Sequence, residues 1–393
     1  MKNYILFAFA LFSAMACEIN QKDIHPESSF IKIYNNPSEQ LAYYPTGIIQ
    51  TDDRGFLILS GLKNDSSLFE YPSAVIIKTS ETGELDWTTE TQYLAPANGF
   101  IEINGQYMFA AMDGQNNGYI LQVNPTTGDI SRADLNLTMP LAIFKDSKEQ
   151  LVVLGYDFVS RSSTLSLFNS SLKYLSGSAL TVNSDMMPQI QAHMNKTGTE
   201  FPFFIGEWIN ASESGYYANC MANYTLRTVF FNNNASPTGG DIYSFQARDA
   251  ISSLVHKEGT SFAFTRYYGG HNYIASDMNI NINASQNFND FTQHQLYDLV
   301  PNAKVVARKV VFDGSESMLF AGTTNSNSVA IYQYDTTGVE PIFTYYTDFA
   351  DKIEISDMMQ DGNDEGIVLL VKLYFTGRYL RPAVIKIEKE NFI

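Results

Sequence analysis

Basic residues are scarce in this 393-residue chain, where 25 Lys and Arg stand against 42 Asp and Glu for a formal net charge of −17. Binding nucleic acid requires clustered Lys and Arg to neutralise phosphates, and no such cluster occurs, which excludes that partner. Docking on an anionic membrane through a basic face is excluded on the same ground. Histidine is equally thin: His25, His193, His256, His271 and His294 are scattered, with no pair at zinc-ligand spacing. No G-x-S-x-G elbow, phosphate-binding loop or dinucleotide fingerprint occurs, and neither a metal nor a cofactor is expected. Asp361-Gly362-Asn363-Asp364-Glu365-Gly366 opens like a calcium loop, but its twelfth position is Lys372 instead of a bidentate Glu, so a hairpin turn is the reading. The only cysteines are Cys17 and Cys220. Cys220 lies in the strand-like stretch Tyr216–Met221 and reads as a small buried hydrophobe, with no His close in sequence to activate it.

What the chain does have begins with an address. Met1-Lys2-Asn3 is a short positive start, Tyr4–Met15 is an apolar run, and Ala14-Met15-Ala16-Cys17 supplies small residues at a cut. That is the pattern of a secretory signal peptide, and the run is shorter than the roughly 20 residues of a membrane span. Small residues directly before a cysteine resemble the lipobox of bacterial lipoproteins. The resemblance implies cleavage before Cys17, its lipidation, and residence in the outer membrane at the cell surface or the periplasmic face. An ordinary signal peptide that ends beside a cysteine is the alternative. The expected organisation is a signal peptide over 1–16, a lipidated polar tether over 17–29 and one domain over 30–393.

Aromatics reach 13%, with 24 Tyr and 27 Phe, which favours strands over helices. A unit recurs along the domain, in which a polar or Gly turn leads into an apolar strand. Its copies start at Phe56, Tyr107, Leu151, Phe203, Phe262, Met318 and Ile367, a mean spacing of about 52 residues, close to the roughly 40–50 residues of a four-stranded propeller blade. A second hairpin follows the first, clearest at Ala74–Lys78, Ser80-Glu81-Thr82-Gly83 and Glu84–Trp87. The last unit runs out of chain after Pro382–Glu388, while Phe30–Tyr34 is an orphan strand before the first. Pairing the two would remove the open sheet edges. The expected fold is therefore all-β, a seven-bladed β-propeller with four-stranded blades, closed by the N-terminal strand completing the last blade.

The first unit, Gly47–Trp87, resembles the blade repeats of secreted Bacteroidota propeller lipoproteins, which implies an address more than an activity. In propellers the loops between second and third strands, with the links between blades, surround one mouth of the central channel. Here those loops carry Tyr71, then Tyr156 and Arg161, then Trp208 and Tyr217. Arg266, Tyr267 and Tyr268 follow, and finally Tyr374, Arg378 and Tyr379. Tyr, Trp and Arg are the residues of binding hot spots, so this face is the candidate binding surface. Packing of the same rings between blades is the alternative. The functional expectation is a non-enzymatic binding or scaffold module that presents an aromatic and Arg-rich face to a glycan or a protein, such as an outer-membrane β-barrel complex. The alternative is a propeller-fold glycoside hydrolase or polysaccharide lyase with a carboxylate pair in the channel.

Overall fold

The computed structural model describes residues 29–34, 41–64, 70–198, 200–244, 249–335, 341–349, 351–362, 366–374 and 379–392. Cys17, the leader, most of the tether and Arg378 lie outside the described residues.

The described chain is all-β, with its strands in six sheets. A typical sheet is an antiparallel meander in chain order: Pro140–Lys145, Leu151–Asp157, Ser162–Phe168 and Tyr174–Thr181 lie side by side. The eight-stranded sheet consists of two such meanders, joined strand to strand by the pairing of Leu94 with Met112. Burial follows position in the meander. Phe56–Lys63, a second strand, is buried along its whole length because neighbouring sheets cover both faces. Tyr174–Thr181, an outermost strand, alternates between exposed and half-buried positions. Turn chemistry matches the hairpins: Gly83 closes the Ser80–Glu84 turn at φ 76°, where a Cβ would be strained.

Successive sheets share apolar cores. Leu57 and Ile76 of the first meander pack with Phe109 and Leu121 of the next. Further along, Phe230 packs with Phe264, and Leu319 with Leu369. The first and last sheets also share a core, in which Ile48, Phe56 and Val75 meet Val368, Leu370 and Val384. The orphan strand, Phe30–Ile33, pairs antiparallel with Leu380–Glu388 in the register Phe30↔Lys386 to Ile33↔Ala383.

The fourth repeat departs from expectation. Asn195-Lys196-Thr197-Gly198 is not a hairpin turn; it follows helix α1 (Met187–Met194), which has a Pro in its first turn and buries Ile190, His193 and Met194. Phe204–Ile209 is then the first strand of its sheet and Ser214–Ala222 the second, joined at Asn210–Glu213. Cys220 is fully buried on that second strand, and burial pushes its thiol up to about 12.

Candidate functional site at the convergence of the inner strands

Most of the aromatic candidates are packing residues. Trp208 is 2% exposed on a first strand, its Nε1 donating to the Phe231 carbonyl at 3.1 Å. Tyr217, on a second strand, donates to the Leu254 carbonyl at 3.0 Å and meets the rings of Phe204, Phe230 and Phe262. Tyr156 and Tyr267 are buried in the apolar core they share with α1. The strands of Tyr156, Tyr217 and Tyr267 are buried on both faces, so a bulky ring there fills the gap between sheets; Trp208 is buried on a half-exposed first strand. Arg266 is also buried. It is held by Gln293 at 2.5 Å and Asn289 at 3.1 Å and surrounded by Tyr268, Tyr273 and Phe288, with 5.3–5.5 Å to each ring centre. Tyr71 is half-buried and hydrogen-bonds Gln191 on α1. Tyr268 and Tyr379 are partly exposed and Arg161 exposed.

Tyr374 alone leads into a cluster with chemistry. Its hydroxyl donates to Glu354 Oε2 at 2.8 Å. Glu354 also pairs with Lys352 at 2.8 Å and with Lys372 at 3.0 Å. Lys372 Nζ lies 3.0 Å from Glu200 as well, and Glu200 is 3.5 Å from Lys196. Lys304 belongs to the same group electrostatically and donates to the Ser356 carbonyl at 2.6 Å. These side chains come from the segment after α1, the start of a first strand, the end of a second strand and a link between sheets. That is the face on which the second-to-third-strand loops lie.

The segment after α1 brings them together. Asn195 accepts a hydrogen bond from Lys63 through its carbonyl. Phe203 accepts from Asn98 at 3.1 Å, Pro202 from Asn219 at 2.8 Å, and Glu200 reaches Lys372. One short stretch therefore touches three of the six sheets. His193 staples it: Nδ1 accepts from the Phe201 amide at 2.9 Å, which leaves the proton on Nε2. Burial, reinforced by Lys196, pulls the His193 pKa down to about 3, so the ring is neutral and structural.

The electrostatics are uneven. Burial alone would raise the pKa of Glu200, but Lys196 and Lys372 hold its carboxyl well below the usual range. Glu354 is likewise held low against burial, first by Lys372 and then by hydrogen bonds from Lys352, Lys372 and Tyr374. Burial would depress Lys372, but the two carboxylates raise it. Lys304 goes the other way. Burial brings it down to about 8, with Lys372 and Lys196 adding to the effect and Glu200 and Asp357 opposing it. Glu200 and Lys304 both reach solvent, yet desolvation by the protein around them is the largest influence on each.

No sequence motif marks Lys196, Glu200, Lys304, Glu354 or Lys372, which span much of the chain. The lone signal available was their placement on links and strand ends of one face.

No family model matches the chain, and no curated protein does. Among solved structures it is similar to the β-propeller domain of the Trilobed protease from Pyrococcus furiosus (TM-score 0.47, 10% identity, 88% of this chain and 94% of that one). It is similar to the Dos1 propeller (TM-score 0.47, 11% identity, 91% and 95%) and to a triple mutant of AofleA from Arthrobotrys oligospora (TM-score 0.44, 8% identity, 91% and 86%).

Proposed function

We propose that this chain is a seven-bladed β-propeller that acts as a non-enzymatic binding module, anchored to the outer membrane by lipid on Cys17 and holding its partner, a glycan or a protein, at the charged mouth of its channel. The seven-blade reading is supported by the split of the eight-stranded sheet at Leu94 and Met112, and closure by the core shared between the first and last sheets. The anchor rests on Ala14-Met15-Ala16-Cys17.

The observation that carries binding over hydrolysis is Lys372. Its ammonium sits 3.0 Å from both Glu200 and Glu354, so the two carboxylates lie within about 6 Å, a spacing a retaining hydrolase would use. A hydrolase also needs one carboxyl protonated near neutral pH. Here the shared cation keeps both ionised. A lyase is the second reading, favoured by Lys304, whose lowered pKa suits a general base.

The test is affinity capture of the tagged chain from detergent-solubilised native membranes, with Cys17→Ser as control, alongside a polysaccharide cleavage panel. The expected result is stoichiometric recovery of a partner or retention of an intact glycan. Unsaturated sugar products that vanish in Lys304→Gln would replace this reading with the lyase. Hydrolytic products lost in Glu200→Gln would replace it with the hydrolase.

A further inference from the structure

We infer that the space bordered by Lys304, Lys196 and Lys372 is a site for one compact oxyanion, the carboxylate of an acidic sugar or a sulfate group; this rests on the channel mouth being the binding site.

The charges around it do not cancel. Lys196, Lys304 and Lys372 contribute three positive charges, and Glu200 and Glu354 two negative ones. Lys352, half-exposed at the rim, adds a further cation beside Glu354. His193 is neutral, and Asp357 is committed to Arg308 at 2.6 Å and to the Ile48 amide at 3.2 Å. A positive surplus therefore sits at the centre of a strongly acidic protein. It concentrates on Lys304. Among the described residues no carboxylate lies within ion-pair distance of this ammonium, and its hydrogen bond goes to the neutral Ser356 carbonyl.

An ammonium partly desolvated by the surrounding protein and without a paired carboxylate is unfavourable, and an entering anion relieves that cost. Access exists, because the Lys304 and Glu200 side chains both reach solvent. Selectivity follows from the arrangement. Glu200 and Glu354 repel a second negative group, so one small anion fits where a polyphosphate does not. Tyr374, fixed on Glu354, adds a ring at the rim against which a sugar can lie.

Binding is coupled to a proton. The groups facing Lys304 are Glu200, Asp357, Lys372 and Lys196, and together with burial they leave it partly deprotonated near pH 8. An anion favours the charged form. Complex formation at pH 8 therefore takes up about half a proton, and affinity rises as pH falls through that value.

The experiment is calorimetric titration of the full chain at pH 8 with sodium D-glucuronate, sodium sulfate and D-glucose, at ionic strength matched with chloride, in two buffers of different ionisation enthalpy. Glucuronate or sulfate is expected to bind with proton uptake. Lys304→Gln should weaken it at least tenfold and abolish the uptake, while Lys309→Gln, an exposed lysine paired with Glu316 outside the site, leaves both unchanged. If Lys304→Gln fails to fold, the proton uptake of the unsubstituted chain is the deciding readout. Glucuronate alone assigns the source to acidic sugars, and sulfate alone to sulfate groups. No anion binding above chloride, binding equal in Lys304→Gln, or equal binding of glucose would overturn the inference. Recovery of a protein or neutral glycan together with any of those results leaves the binding-module reading standing and removes only the anion site.

Discussion

Lys372→Met tests the central network most directly. The side chain is 10% exposed and links two carboxylates, so its loss strands Glu200 and Glu354 beside each other without their shared cation. Removing one partner of a fully buried ion pair costs about 3–5 kcal/mol. That figure must be reduced here, because Glu200 keeps 40% and Glu354 31% of its side-chain exposure, and Lys196 and Lys352 remain nearby. About 2 kcal/mol is expected after screening. For a chain of this size, with unfolding entropy near 2.1 cal/mol/K per residue, that is a drop of roughly 2–3 °C in Tm. The sign with pH is decisive. Both carboxyls have folded pKa values below their ordinary 4.5, so their contribution is present above that value and lost as pH falls through the depressed one. In the variant their pKa values rise instead, and the deficit relative to the parent is full near pH 7 and shrinks as pH falls below about 5. Thermal unfolding followed by near-ultraviolet circular dichroism at pH 7 and pH 4 measures both. Equal stability at pH 7, or a deficit as large at pH 4 as at pH 7, would refute the reasoning, the second result pointing to lost packing.

Three further outcomes follow from packing. Trp208→Ala empties an inter-sheet site and removes the hydrogen bond to Phe231, so urea unfolding should show a loss of about 3–5 kcal/mol. Gly55→Ala would place a Cβ 2.1 Å from the Thr79 carbonyl, whereas Gly114→Ala meets nothing within 4 Å; the first should cost about 1–3 kcal/mol in the same assay and the second stay within about 0.5 kcal/mol. Deleting residues 30–34 uncovers the edge of Leu380–Glu388, and size-exclusion chromatography should show self-association that the full chain lacks.

Repeat structure was legible because it has a local cause. A second strand covered on both faces must be continuously apolar, and a tight turn before it needs Asp, Asn or Gly, so Asp52-Asp53-Arg54-Gly55 before Phe56–Leu59 announces itself. The pairing of Phe30–Ile33 with Leu380–Glu388 was legible by elimination, since one was an orphan strand and the other belonged to a unit lacking its fourth strand. The fourth unit misled because both halves of its signal have second causes. Asn195-Lys196-Thr197-Gly198 is turn-like as the exit of a helix, and Phe203–Gly206 is apolar as an entry strand facing His193 and the core. The aromatic residues misled for a related reason: Tyr156, Trp208 and Tyr267 lie near strand ends, where one residue decides between loop and inter-sheet core, and Tyr217 lies inside a strand that was read as a loop.

The charged site was beyond reach for a different reason. Periodicity reports what each unit does to its neighbours, and every unit solves the same packing problem in the same way. Side chains at the centre answer to no such repeat. Glu200 comes from a connection lengthened by α1, Lys304 from a link between sheets, and Glu354 and Lys372 from opposite strands of one hairpin. In the sequence these are ordinary solvated charges. Glu354 and Lys372 face each other across that hairpin, and Glu200 reaches Lys372 from the segment after α1, so folding brings them within ion-pair distance and they shift one another's protonation. Substitution at Glu200 or Lys304, which reach solvent, meets less of the packing constraint that governs Phe56 or Leu369. The charged cluster is thus the part of this fold where side chains can change while the sheets stay as they are.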